Sequence, residues 1–70
     1  MRTPEAIKEV TGRMLKGEKG LHTKLIEPYK LVRLDTLPVL LKELVADEIQ
    51  RKKFKVVKKH KGILILKRPT

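Results

Sequence analysis

The clearest pattern of apolar positions in the chain lies between residues 36 and 52. Apolar residues recur there at the three- and four-residue spacing that lines one face of a helix. Thr36 or Asp35 is suited to cap such a helix, and Pro38 is tolerated in its first turn. The pattern predicts a helix over residues 36–52 whose stripe is buried against the first helix and the sheet. The stripe consists of Leu37, Leu40, Leu41, Leu44, Val45 and Ile49.

A shorter apolar stripe predicts the first helix over residues 4–16. Pro4 suits the first helical position, and Gly17 is placed to end the helix. The residues of the stripe are Ile7, Val10, Met14 and Leu15.

Residues 21–34 show no periodicity that decides between helix and strand. Leu21, Leu25 and Ile26 are spaced to line a helix face, but Pro28 interrupts a long helix. Residues 29–34 fit a short strand or a short helix equally well. The structure of this segment therefore stays open at the level of sequence.

The end of the chain predicts a β-hairpin. Phe54, Val56 and Val57 favour a first strand, and residues 63–66 a second strand. Gly62 supplies the positive φ angle that a tight turn between them needs. The second strand reads Ile-Leu-Ile-Leu and does not alternate with polar residues, so either both of its faces are covered or it pairs with another molecule.

These elements predict a small α+β domain spanning residues 1–70. Their order is helix, short strand or helix, long helix and C-terminal hairpin, and it resembles the order of a winged helix. The ending KVVKKHKGILILKR is similar to the wing of small DNA-binding and ribosomal winged-helix domains. No sequence motif ties the chain to one family.

The charge is concentrated at one end of the chain. Residues 1–50 hold nine Lys or Arg against eight Asp or Glu, whereas residues 51–70 hold nine Lys or Arg and no acidic residue. Of the net charge of +10, the hairpin segment therefore carries +9 and the mostly helical scaffold +1. Such asymmetry favours contact with nucleic acid or another polyanion.

The basic residues of the hairpin and of the preceding helix end are the candidate nucleic-acid contacts. Lysines suit phosphates better than base edges, and with only Tyr29 and Phe54 as aromatic residues a platform for base stacking is not expected. We therefore expect largely sequence-independent binding to the backbone of DNA or RNA, with ribosome association as one form of it. On the first strand, alternation places Lys53, Lys55 and Lys59 on one face. The predicted contacts are Arg51, Lys52, Lys53, Lys55, Lys58, Lys59, Lys61, Lys67 and Arg68.

A second hypothesis is a protein-interaction module: a homodimer, an adaptor or an inhibitor of a larger complex. The amphipathic helix 36–52 is able to lie in a partner's groove, and the apolar strand is able to pair or pack with another chain. The interface residues on this hypothesis are Ile63, Leu64, Ile65 and Leu66.

Catalysis is not expected. The chain has no Ser or Cys nucleophile, and its two histidines, His22 and His60, lie in different elements without metal-ligand spacing. No cofactor or metal is predicted. The absence of a signal peptide and of a long apolar run predicts a soluble, cytoplasmic protein, and the shortage of amide residues is typical of thermophiles.

Overall fold

One helix followed by two strands forms a unit that occurs twice along the chain. The computed structural model describes residues 3–69. The architecture is α+β, and the predicted order of helix, strand segment, helix and C-terminal hairpin is confirmed. The elements are α1 (Thr3–Leu15), β1 (Thr23–Ile26), β2 (Tyr29–Arg33), α2 (Val39–Gln50), β3 (Lys55–His60) and β4 (Ile63–Lys67).

The four strands form one antiparallel sheet in the order β1-β2-β4-β3. The central contact joins the two hairpins, because β2 pairs with β4 along its whole length, from Tyr29 opposite Lys67 to Arg33 opposite Ile63. The strand β3 is left at one edge of the sheet and β1 at the other.

The sheet lies between the two helices. Neighbouring residues of a strand point to opposite faces, and Leu31 packs in a cluster with α1 residues whereas Val32 packs in a cluster with α2 residues. The strand β4 is divided in the same way, with Ile63 and Ile65 on the α1 side and its leucines on the α2 side. Both faces of the Ile-Leu-Ile-Leu strand are therefore covered by the chain's own helices.

Residues 21–34, which the sequence left open, form the β1–β2 hairpin. Glu27 and Pro28 make the two-residue turn, with a cis peptide bond between them, as in a type VI turn. The expectation that Pro28 interrupts a long helix is met, because Pro28 lies in the turn between the two strands.

Both helices end in the same backbone motif. After α1, Gly17 has a φ of 79°, and the N–H of Glu18 donates to the carbonyl of Arg13. After α2, Lys52 has a φ of 60°, and the N–H of Lys53 donates to the carbonyl of Glu48. These are Schellman caps, in which glycine normally takes the left-handed position. The predicted end at Gly17 is confirmed, whereas α2 stops two residues earlier than predicted.

The start of α2 also differs from the prediction. The helix begins at Val39 rather than at residue 36, because the residue before Pro38 is kept out of the helical conformation. Pro38 is itself the N-cap, and no side chain caps the helix. The predicted caps are engaged elsewhere: Asp35 accepts hydrogen bonds from Arg33, and the hydroxyl of Thr36 lies 3.1 Å from His22 Nδ1.

The apolar stripe of α2 is only partly buried. Val45 is buried in the core, and Leu41 and Ile49 pack against it. In contrast, Leu40 and Leu44 remain 78% and 51% exposed. The prediction that the whole stripe is covered, partly by α1, is wrong, because α1 lies on the opposite face of the sheet.

Candidate nucleic-acid interface

The predicted basic residues divide into paired and unpaired groups. Arg51 Nε lies 2.9 Å from Asp47 Oδ1, and Arg68 Nε lies 2.8 Å from Glu27 Oε2. Among residues 3–69, no carboxylate lies within ion-pair distance of the seven lysines of the set. The positive charge of these lysines is therefore available to an external anion. They are Lys52, Lys53, Lys55, Lys58, Lys59, Lys61 and Lys67.

Arg68 holds the chain end against the β1–β2 turn. Its N–H donates to the carbonyl of Pro28, and its guanidinium lies 4.7 Å from the ring centre of Phe54. Hydrogen bonds from Arg68 lower the pKa of Glu27, and the same bonds raise the pKa of Arg68. With its fork occupied in this way, Arg68 is a weaker candidate for phosphate contact than the lysines.

A β-bulge distributes the lysines of β3 over both faces of the sheet. The pairing with β4 shifts between Val56 and Lys58, so that Lys58 lies opposite Ile65 and Lys59 lies opposite Leu64. Lys58 therefore points to the α1 side and Lys59 to the α2 side. The prediction that Lys59 shares a face with Lys55 is wrong, because the extra residue of the bulge reverses the alternation.

On the α1 side, an open trough runs between α1 and β3. Two adjoining cavities of about 550 and 430 Å³ make up this trough, and Ile7 and Ile65 line both of them. Val57, 54% exposed, also lines it, as does Tyr29. We call this surface the α1–β3 trough; its apolar lining includes Ile7, Tyr29, Val57 and Ile65, and its basic lining is Lys8, Lys58, His60 and Lys67.

The electrostatic character of the trough is uniform. Within the described part of the chain, residues 3–69, no Asp or Glu lines either cavity. Lys8 stands on the helix side and Lys58 on the strand side, while Lys67 Nζ lies 5.6 Å from the ring centre of Tyr29. The trough therefore combines an apolar floor with a positive rim on two sides.

The α2 side carries a smaller basic groove at the other end of β3. Its cavity of about 320 Å³ is lined by Lys52 and apolar residues, and at its edge by Lys55, which lies opposite Lys67 and so belongs to the α1 face by its pairing. The hairpin tip lies at the opposite end of β3 from this groove. It is a two-residue turn in which Lys61 and Gly62 both have positive φ angles, as in a type I′ turn. The predicted role of Gly62 is confirmed.

Sequence reasoning missed Lys8 as a member of this surface. Lys8 comes from α1, 50 residues before Lys58, and nothing in the local sequence distinguishes it from Lys16. Only the packing of α1 against the sheet places Lys8 beside the hairpin lysines.

The proposed interface residues of β4 lie in the core. Ile63 and Leu66 are 1% and 0% exposed, and Leu64 and Ile65 are half-buried. Both faces of the strand pack against the chain's own helices, so its unbroken apolar run no longer argues for pairing with a second molecule.

Two further findings concern other kinds of site. Within residues 3–69, no three His, Cys, Asp or Glu residues are grouped so as to hold a metal ion. The same part of the chain has no helix with the length and apolar character needed to traverse a bilayer.

No protein-family model, curated protein sequence or solved structure matches this chain. Its function is therefore inferred from the charged and apolar side chains themselves.

Proposed function

We propose that the protein is a non-catalytic nucleic-acid-binding protein that contacts the phosphate backbone of DNA or RNA through its C-terminal hairpin. One observation carries the proposal: seven lysines of residues 52–67 have no carboxylate partner within residues 3–69. A polyanion that replaces their counterions gains free energy from ion release.

The side chains favour phosphates over base edges. Lysine is a point charge, whereas bidentate recognition of guanine needs the planar fork of arginine. Arg51 and Arg68, the arginines of the basic segment, are both engaged by carboxylates. The exposed Glu43 on α2 would repel the backbone beside a groove, which argues against α2 as a recognition helix. Binding is therefore largely independent of sequence.

The test compares salt dependence in two matched triple variants. Lys58, Lys59 and Lys61 are changed to Glu together in one variant, and the exposed Lys16, Lys19 and Lys24 in the other. Both variants lose the same net charge. The hairpin variant is expected to lose binding to a generic duplex and to structured RNA, whereas the control keeps it with the steep log–log salt slope of phosphate binding.

Circular dichroism and thermal unfolding establish that both triple variants are folded. Equal loss of binding in the two variants would show that overall charge, and not the hairpin, drives association. A salt slope near zero for the unaltered protein would reject the proposal itself.

A protein-interaction module is the second candidate, with the exposed apolar residues of α2 as its surface. Val39, Leu40 and Leu44 of α2 are 68%, 78% and 51% exposed, and apolar residues of this size on a helix face are typical of partner contacts. Sedimentation of the protein at rising concentration tests for a homodimer. Leu40→Lys is expected to abolish any such dimer without unfolding the chain.

A further inference from the structure

We infer that the α1–β3 trough binds an unpaired stretch of nucleic acid, with bases on its apolar floor and phosphates at its lysine rim. This inference rests on the proposed function and narrows it in two respects. It selects the α1 face of the hairpin over the α2 face, and it selects single strands over duplexes.

The size of the trough favours one strand over two. The helix α1 packs on β1, β2 and Ile63 of β4 and covers Ile65 only in part, while Val57 and Lys58 of β3 stay exposed on this face. With neighbouring strands about 5 Å apart, the uncovered strip is roughly 5–10 Å wide. A strip of that width accommodates one backbone, whereas a duplex, which is wider than its own major groove of about 12 Å, would rest across the strip without reaching the floor.

The chemistry of the trough also favours unpaired bases. In a duplex the base faces are stacked on one another, so the apolar floor formed by Ile7, Val57 and Ile65 would stay unused. In a single strand the base faces are exposed, and apolar or aromatic surfaces are able to cover them. The sequence did not predict a base-stacking platform, and the floor is indeed mainly aliphatic: Tyr29 is the one aromatic residue of residues 3–69 that lines it. We therefore expect the bases to be covered by apolar contact, with modest and sequence-tolerant affinity.

The rim is placed to hold the backbone on both sides of the bases. Lys8 of α1 and Lys58 of β3 line the smaller of the two cavities, and Lys67 lines the larger one. No acidic residue of residues 3–69 lines either cavity, so the lining itself presents no negative side chain to a phosphate.

The bulge supplies a matched pair of variants for the test. Lys58 and Lys59 are adjacent, exposed and equal in charge, but Lys58 lines the trough and Lys59 lies opposite Leu64 on the other face. Binding of a labelled single-stranded homopolymer is measured by fluorescence anisotropy at fixed salt. Lys58→Glu is expected to weaken binding about tenfold or more and Lys59→Glu about threefold or less, because only Lys58 contacts the strand.

A second matched pair tests the floor. Val57 lines the trough, whereas Val56 lies opposite Leu66 on the α2 face. Both are partly exposed, so Val57→Ser and Val56→Ser are expected to fold. Val57→Ser is expected to weaken binding of the single strand several-fold and to leave binding of inorganic polyphosphate, which has no bases, unchanged. Val56→Ser is expected to change neither.

A comparison of single strands with the corresponding duplexes, run with DNA and with RNA, completes the test. Tighter binding of either single strand than of its duplex supports the inference. Preference for both duplexes, equal effects of Lys58→Glu and Lys59→Glu, or displacement of the strand by polyglutamate as readily as by unlabelled strand would each overturn it. The first two of these outcomes leave the proposed function standing, whereas salt-independent binding of the unaltered protein rejects the function as well.

Discussion

Lys30 Nζ lies 2.7 Å from Glu48 Oε1, and this ion pair joins the centre of the sheet to α2. The two side chains are only 17% and 16% exposed, so water screens the pair weakly. Lys30 Nζ also lies 5.4 Å from the ring centre of Phe54, which is buried in the α2 cluster. The pair is the one salt bridge within residues 3–69 in which both side chains are largely shielded.

Breaking this ion pair from one side is expected to destabilise the fold. Glu48→Gln should lower the free energy of unfolding by about 1–3 kcal/mol, because the Lys30 ammonium loses its counter-charge in a place with little water. The double variant Lys30→Met and Glu48→Leu should recover most of that loss, since apolar side chains of similar size suit the site. Urea unfolding measures both. If the double variant is as unstable as the single one, the unpaired charge of Lys30 is not the cause of the lost stability.

The two Schellman caps predict opposite effects of glycine and alanine. Lys52→Gly should stabilise the protein by about 1 kcal/mol, because Lys52 occupies a left-handed conformation that glycine adopts freely. Gly17→Ala should destabilise it by about the same amount.

Thermal unfolding of both variants checks the prediction. Lys53→Gly is the matched control for Lys52→Gly. It removes an equal charge at a position whose φ angle is not positive. If Lys53→Gly stabilises the protein as much as Lys52→Gly, the gain comes from reduced charge repulsion and not from the cap.

The turn at Lys61 and Gly62 permits removal of one hairpin charge without damage to the fold. Asn-Gly is the preferred sequence of a type I′ turn, so Lys61→Asn is expected to keep or raise the melting temperature. If Lys61 contacts a phosphate, the same variant should reduce the log–log salt slope of binding by about 1. Lys19→Asn, a change of equal charge in the loop after α1, should leave the slope unaltered.

Acid is expected to weaken the junction between Glu27 and Arg68. The folded state lowers the pKa of Glu27 from its ordinary value of 4.5 because Arg68 donates hydrogen bonds to it. The contribution to stability is therefore complete above that ordinary value and is lost as the pH falls through the lower pKa of the folded state.

The comparison of Glu27→Gln with the unaltered protein isolates this contribution. The melting temperature of the variant should fall less between neutral and acidic pH, and the difference should be small because both side chains are about half exposed. Glu43→Gln is the control, since Glu43 has no ion-pair partner within residues 3–69. An equal change in the two variants would mean that the pair adds nothing specific.

The elements that local signals define were predictable from the sequence. The stop at Gly17 and the turn at Gly62 depend on backbone angles that few other residues adopt, so their positions are visible in the chain. The β1–β2 hairpin was not visible, because its strands are short and β2 pairs on its other side with β4, which lies 30–38 residues further on. The coverage of β4 on both faces was not visible either, since it depends on where two separate helices dock.

The candidate site also combines features that the sequence predicts with features that only the folded structure reveals. The charge of the hairpin is a property of composition, and the lysines were found without a structure. The bulge next to Val57 is an irregularity of strand pairing, and it decides which lysine faces which helix. The pairing of Arg68 with Glu27 and the position of Lys8 beside the hairpin also depend on tertiary packing, whereas Asp47 and Arg51 are four residues apart at the end of α2 and form a local pair.

The edge strand β3 has backbone groups on its outer side that a strand of another sheet is able to pair with. Charged side chains such as Lys55, Lys58 and Lys59, together with the bulge, are the usual protection against that kind of polymerisation. Substitutions that replace several of these lysines by neutral β-forming residues would leave Val56 and Val57 on an uncharged, aggregation-prone edge strand. We therefore expect the positive charge to oppose edge-to-edge association of the folded protein, which makes glutamate a safer replacement than a neutral residue wherever these lysines are changed.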